Sequence, residues 1–122
     1  MLKGHLSAIS VILLGGVMGQ SAYAQTSGGD FFKQRCAMCH TTASGGRAGI
    51  GPNLAGIVGR QAGSTTYTYS AALKKAAIKW DKATLDAFLT APGKVVPGTK
   101  MVVQVSDPAQ RARLIAYLAT LK

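Results

Sequence analysis

The sequence predicts a small all-α protein, and three observations support this fold class. Stretches rich in helix-forming residues alternate with glycine-rich loops along the chain. The good N-cap residues Ser70, Asp81 and Asp107 each stand directly before one of these stretches. No segment has the pattern of a paired β-strand. We therefore expect helices joined by loops, packed into one modest core.

The first 24 residues are typical of a secretory signal peptide. Lys3 precedes an apolar run from Leu6 to Val17, and Ala22-Tyr23-Ala24 gives a small-x-small cleavage pattern. The run is shorter than the roughly 20 residues that span a bilayer, so an uncleaved membrane anchor is the weaker interpretation. We predict cleavage after Ala24, export to the periplasm, and a single mature domain over residues 25–122.

Two helices are expected in the first two thirds of the domain. The first covers Asp30 to His40, where Phe31 and Phe32 stand one turn before Cys36. The second covers Ala71 to Ala77, which is rich in helix formers. Between them, residues 41–66 contain seven glycines but no Gly-Lys-Ser/Thr ending, which excludes a phosphate-binding loop. Close approach of the backbone to a flat ligand explains these glycines better.

Two more helices are expected near the C-terminus. Lys82 to Thr90 forms the third, and Pro92 stops it. Pro108, which fits the first helical position, opens the last helix to Leu121. One apolar stripe of that helix comprises Leu114, Ile115, Leu118 and Leu121.

The pentapeptide Cys36-Ala37-Met38-Cys39-His40 carries the chemistry of the chain. Its two thiols have the spacing that bonds both vinyl groups of one porphyrin, and His40 follows directly to ligate the iron. A zinc site would need ligands that the domain lacks, since His40 is its one histidine. A thioredoxin-like dithiol remains the alternative, although its alternation of strands and helices is missing. We predict one covalently attached haem c.

The second axial ligand of the iron separates an electron carrier from a protein that binds small ligands. Met38 lies inside the attachment peptide, and Met101 is the only other methionine after the signal peptide. Met101 follows the turn-forming pair Pro97-Gly98, which can lead a loop across the cofactor. We therefore predict His40 and Met101 as the two iron ligands.

The charge of the chain is strongly positive, with a formal net charge of +10. This favours a partner with an acidic face. Nucleic acid is excluded as a partner because the basic residues are scattered and lack interleaved aromatic rings. The scattered basic residues, most of which are expected to be solvated, are Lys33, Arg35, Arg47, Arg60, Lys74, Lys75, Lys79, Lys82, Lys94, Lys100, Arg111 and Arg113.

Over nearly all of residues 28–121 the sequence resembles the class I cytochromes c, in particular their mitochondrial-like branch of small soluble bacterial proteins. The shared motifs are Cys36 to His40, Gly51 to Leu54, Gly59-Arg60, Tyr67 to Ser70, Trp80, Pro97 to Met101 and Leu114 to Leu118. The resemblance implies helices wrapped around one covalent haem. It also implies that Gly28 and Phe32 of the first helix cross Leu114 and Tyr117 of the last.

The resemblance further implies roles for five residues. The carbonyl of Pro52 would accept a hydrogen bond from the His40 ring, which orients that ring and raises its donor strength. Arg60, Tyr69 and Trp80 match positions that hold a buried haem propionate, which needs hydrogen-bond donors in a dry pocket. Thr99 matches a position in the loop that carries the iron-ligating methionine.

Three positions depart from the family pattern. Leu73 stands where many members have an asparagine near the haem, and Phe88 where many have a tyrosine that reaches the methionine sulfur. Val103 replaces a ring that often shields the exposed haem edge. The first two changes remove polar contacts near the iron and are expected to alter its potential.

The function expected from these features is one-electron transfer, without enzymatic activity. The expected partners are redox proteins with acidic docking faces: a membrane cytochrome complex, a terminal oxidase or a periplasmic dehydrogenase. We expect a monomer with at most peripheral membrane contact. Two alternatives remain: an electron-transfer subunit of a larger periplasmic oxidoreductase, and a haem ligand sensor or peroxidase with a labile Met101.

Overall fold

Five helices build the fold. The computed structural model describes Gly4, Ile12, Gly15, Gly16 and residues 25–122, so the predicted signal peptide lies almost wholly outside the described residues. The helices are α1 (Gly28–Arg35), α2 (Ala71–Lys75), α3 (Lys82–Thr90), α4 (Pro92–Val95) and α5 (Pro108–Leu118). Across the described residues no helix is long and apolar enough to cross a membrane. The predicted all-α class is confirmed.

Helix α1 begins and ends earlier than the sequence predicts. The side chain of Ser27 accepts a hydrogen bond from the Asp30 backbone at 3.1 Å, and this cap starts the helix at Gly28. After Arg35 the chain turns tightly, because the backbone amides of Cys39 and His40 both donate to the carbonyl of Cys36, at 3.0 and 2.9 Å. The predicted helix end at His40 is therefore wrong, and the pentapeptide forms turns.

The other helices agree with prediction to different degrees. Helix α3 matches its predicted bounds, whereas α2 ends early because Ala77 has a φ of 52°, a left-handed conformation that cannot continue a right-handed helix. The short α4 was missed: Pro92 ends one helix but also fits the first turn of the next. Helix α5 ends at Leu118, where i→i+3 hydrogen bonds tighten the chain.

Within residues 25–122 no β-strand forms, as predicted. The backbone does pair at one isolated antiparallel bridge. It joins Gln61 and Lys79. Around it, the amide of Gly59 donates to the carbonyl of Trp80 at 2.6 Å, and the amide of Trp80 donates to the carbonyl of Arg60 at 2.9 Å. This pairing brings two predicted site residues, distant in sequence, to one place.

The crossing of α1 and α5 forms the base of the core, as the resemblance implied. The rings of Phe32 and Tyr117 lie 5.4 Å apart, and Leu114 is only 1% exposed. At the crossing, a Cβ atom on Gly28 would lie 2.1 Å from the backbone oxygen of Arg113. Only glycine lets the two backbones approach this closely.

Gly28→Ala is therefore expected to destabilise the haem-loaded protein by roughly 3 kcal/mol, the upper end of the usual cost of overpacking. Denaturant unfolding followed by far-UV circular dichroism measures the change. The matched control is Gly29→Ala, because a Cβ there meets the Tyr117 ring at an ordinary 3.4 Å. Equal stabilities of the two variants would contradict a steric role for Gly28.

Candidate functional site

An apolar cavity of about 380 Å³ lies above the α1–α5 crossing. Its walls include core side chains from α1, α3 and α5, among them Phe32, Leu85 and Leu114. All nine residues that the sequence analysis selected border it: Cys36, Cys39, His40, Pro52, Arg60, Tyr69, Trp80, Thr99 and Met101. The fold thus brings residues from the three loops that follow α1, α2 and α4 around one space.

The two cysteines approach the cavity from the turn after α1. Both are half-buried and neither forms a disulfide bond. Burial raises the pKa of the Cys36 thiol, and the nearby positive charge of Arg35 opposes this shift. Two free thiols beside an apolar space are available for covalent attachment of a ligand.

His40 is fixed in orientation by its neighbours. Its Nδ1 lies 2.7 Å from the carbonyl oxygen of Pro52, and a Cβ on Gly51 would lie 2.7 Å from the imidazole Cε1. Burial lowers the pKa of His40; the Pro52 hydrogen bond opposes this, and the charge of Arg60 adds to it. A neutral ring that donates Nδ1–H to Pro52 leaves the Nε2 lone pair free to bind a metal.

Met101 reaches the same cavity from the loop after α4. Gly98 has a φ of 92°, which favours glycine, and the amide of Thr99 donates to the carbonyl of Val96 at 3.0 Å. The hydroxyl of Thr99 in turn lies 3.4 Å from the Met101 amide nitrogen, in a long hydrogen bond. Met101 is partly buried and packs against the core. The sequence-predicted Pro-Gly turn therefore does bring its thioether to the cavity.

Three polar side chains border the cavity near the bridged segments. Arg60 donates from Nη1 to the carbonyl of Ala55 at 3.1 Å, and the Tyr69 hydroxyl lies 2.6 Å from the Thr65 hydroxyl. Trp80 is 6% exposed. Burial lowers the pKa of Arg60, and its interaction with Tyr69 opposes that shift. A half-buried guanidinium at the edge of an apolar space favours an anionic group on its ligand.

The departures from the family pattern make this cavity less polar. Phe88 is buried with its ring 5.0 Å from that of Trp80, and Leu73 borders the cavity. Neither side chain donates a hydrogen bond. At the rim, Ile50 and Val102 are 75% and 83% exposed, so the edge of the cavity is apolar as well.

Sequence reasoning missed several residues that shape the site. Gly51 was noted as part of a motif, but its contact with the imidazole was not. Tyr67 donates from its hydroxyl to the carbonyl of Ile50 at 2.6 Å, and Lys100 donates to the carbonyl of Thr68 at 3.0 Å. Arg111 is 8% exposed, unlike most of the basic residues. Its partner, Asp86, stands 25 residues away, so no local sequence pattern predicts their contact.

These residues fit a covalently attached haem. The cavity is apolar, as a porphyrin requires, and it is bordered by two thiols, an oriented imidazole, a thioether and a guanidinium. The two thiols would hold the vinyl groups of a haem c, the imidazole and the thioether would hold its iron, and the guanidinium would pair with a propionate.

Comparison with known proteins agrees with this arrangement. Residues 25–122 match the family model described as Cytochrome c. A cytochrome c of Sesamum indicum is 50% identical over 94 residues, covering 75% of this chain and 85% of the relative. A cytochrome c of Nigella damascena is 48% identical with the same coverage. Cytochrome c2 of Rhodomicrobium vannielii is 40% identical over 121 residues, covering 94% of this chain and 97% of the relative.

Proposed function

Because the chain belongs to the cytochrome c family of electron-transfer proteins with covalent haem c, we propose that it is a periplasmic one-electron carrier whose iron is ligated by His40 and Met101. One observation carries the proposal: an oriented imidazole and a thioether, 61 residues apart in sequence, border the same apolar cavity. Imidazole with thioether is the ligand pair of high-potential electron carriers.

Each residue of the site has a role in this proposal. Cys36 and Cys39 would bond the haem covalently, and Pro52 would keep the His40 ring in position. Arg60, Tyr69 and Trp80 would supply donors for a propionate, and Thr99 would support the backbone at Met101. When bound, the haem supplies one Fe(III)/Fe(II) couple.

The protein contributes a dry and rigid environment to electron transfer. The cavity walls belong to the packed core, so few side chains need to move when the charge changes. His40 is held by Pro52 and Gly51, and its lowered pKa favours the neutral, ligating form. Met101, a soft thioether, favours Fe(II) and so raises the potential.

The positive charge of the chain and its proposed export support periplasmic redox partners. From Gln25 onward the chain carries 13 Lys and Arg against 4 Asp and Glu, a net charge of +9 that suits acidic docking faces. Such faces belong, in this proposal, to a membrane cytochrome complex, a terminal oxidase or a periplasmic dehydrogenase. The alignment with cytochrome c2 of Rhodomicrobium vannielii covers 94% of the chain and so extends into residues 1–24. Export with a leader cleaved after Ala24 is part of this proposal, and the Ala22-Tyr23-Ala24 pattern supports it. We propose that the carrier is a monomer.

The visible spectrum of the ferric protein at neutral pH tests the proposal. We expect the weak far-red band of an iron–sulfur bond, together with a reversible one-electron redox titration. A high-spin spectrum without that band would contradict the closed site and favour the ligand sensor or peroxidase. A stable complex recovered from periplasm would favour the subunit of a larger oxidoreductase.

Electron transfer to an acidic partner is expected to slow by about tenfold when ionic strength rises from about 0.01 M to 0.1 M, because the Debye length falls from about 30 to 10 Å. Stopped-flow kinetics with the partner measures this rate. An unchanged rate would contradict docking guided by charge, and a small uncharged reductant serves as the control reaction.

A matched pair of variants locates the docking charge. Arg35 is exposed at the cavity edge, whereas Lys33 stands on the same helix but does not border the cavity. Arg35→Gln is expected to reduce the salt dependence more than Lys33→Gln. Equal effects would place docking away from the cavity edge.

A further inference from the structure

The loop that carries Met101 is fixed mainly at its two ends. Before Met101, the turn at Gly98 packs against α2, because a Cβ on Gly98 would lie 3.2 Å from the Cβ of Ala72. Lys100 also donates from Nζ to the carbonyl of Thr68 at 3.0 Å. After Met101, residues 102–104 make no backbone hydrogen bond within the described part of the chain. Val102 is 83% exposed. The position of Met101 therefore depends on how firmly the chain is held where it rejoins the core.

The chain rejoins the core at Val105 and Ser106, where hydrogen bonds from two directions hold it. The amide of Val105 donates to the carbonyl of Leu89 at the end of α3, at 2.8 Å. The guanidinium of Arg111 donates from Nη1 to the carbonyl of Val105 at 2.9 Å and to that of Ser106 at 3.3 Å. Arg111 thus connects the returning loop to helix α5.

Arg111 is itself held by Asp86 on α3. Its Nε lies 2.6 Å from Asp86 Oδ1, and this is the one ion pair among the described residues. The Arg111 side chain is 10% exposed and that of Asp86 is 49% exposed. A planar guanidinium suits this task because it can bond a carboxylate and carbonyls at the same time in fixed directions.

We propose that Arg111, oriented by Asp86, is a positioning residue that keeps the Met101 loop closed over the cavity and so controls how readily Met101 leaves the iron. This inference rests on the proposed ligation by Met101. If Arg111 is removed, two carbonyls at the end of the loop lose a charged donor. The loop is then held there by the Val105–Leu89 hydrogen bond and by the buried Val105 side chain alone. Local opening then becomes easier while the helices stay packed.

The test uses imidazole as a probe that binds ferric iron when Met101 dissociates. In the haem-loaded protein, Arg111→Met is expected to speed imidazole binding by roughly tenfold or more, because a lost charge-assisted hydrogen bond changes a local equilibrium by about that factor. The matched control is Arg113→Met. Arg113 lies on the same helix but binds the carbonyl of Thr26 and the side chain of Gln25, away from the loop. We expect Arg113→Met to bind imidazole at a rate close to that of the unaltered protein.

A double variant separates positioning from the effect of an unpaired charge. Arg111→Met combined with Asp86→Leu removes both charges of the pair, so no unpaired carboxylate is left to affect the result. Because the Asp86 side chain is 49% exposed, its lone carboxylate costs little, and the double variant should be about as stable to heat as Arg111→Met alone. Imidazole binding should stay fast, because the two carbonyls still lack their donor. Equal rates for Arg111→Met and Arg113→Met would overturn the inference, and so would a double variant that regains slow binding. Failure of Met101 ligation would appear separately, as a missing far-red band in the unaltered ferric protein.

Discussion

Replacing both Cys36 and Cys39 with alanine is expected to leave the protein without haem and largely unfolded. The cavity of about 380 Å³ is surrounded by the core side chains of α1, α3 and α5. Without the cofactor, these apolar side chains face water instead of packing against a porphyrin, so much of their hydrophobic stabilisation is lost. A typical domain has only about 5–15 kcal/mol of stability to lose. Far-UV circular dichroism and thermal unfolding measure the loss of helix and of a cooperative transition.

Met38→Ala is the matched control for this double variant. Met38 lies between the two cysteines but is 76% exposed, so its removal leaves both thiols and the cavity intact. Met38→Ala should resemble the unaltered protein in helix content and thermal midpoint. It should also retain its haem in acidified organic solvent. A haem-free double variant that unfolds cooperatively at the unaltered temperature would show that the core does not need the cofactor.

The elements that the sequence predicts best are those with local causes. Helix α3 has its capping residue and its stopping proline within the segment itself, and its bounds match the prediction. The causes of both ends of α1 are local as well, namely the Ser27 cap and the turn at Cys36. Both ends were misplaced because the prediction followed apolar spacing and did not use the serine cap. The short α4 was missed because a proline that ends one helix can also begin another.

For the candidate site, as for the helices, only features with local causes could be predicted from the residues themselves. The attachment peptide and Met101 could be found from spacing and from the scarcity of alternative ligands, and Arg60, Tyr69 and Trp80 came from the family resemblance. The contacts of Arg111 with Asp86, Val105 and Ser106 join three elements that meet only after folding. No sequence pattern distinguishes this buried arginine from the solvated ones.

Met101→Ala has the second large expected effect, on the iron site and not on the fold. The variant should lose the far-red band and bind imidazole without a slow opening step. Its reduction potential should fall by roughly 0.1–0.2 V, a fraction of the roughly 0.8 V range that axial ligands set, because the thioether favours Fe(II). Visible spectroscopy and a potentiometric titration of the haem-loaded variant measure both changes.

Two further variants separate ligation from packing at this position. Met101→Leu keeps the apolar volume and removes the sulfur, so it should lower the potential as Met101→Ala does while retaining more stability. Met101→His replaces the thioether with an imidazole, and it should close the site again without restoring the potential. If the far-red band survived in Met101→Leu, the iron would have another sulfur ligand. Met38, the one other methionine after residue 24, would then be the residue to replace, although its exposed position in the attachment turn argues against that role.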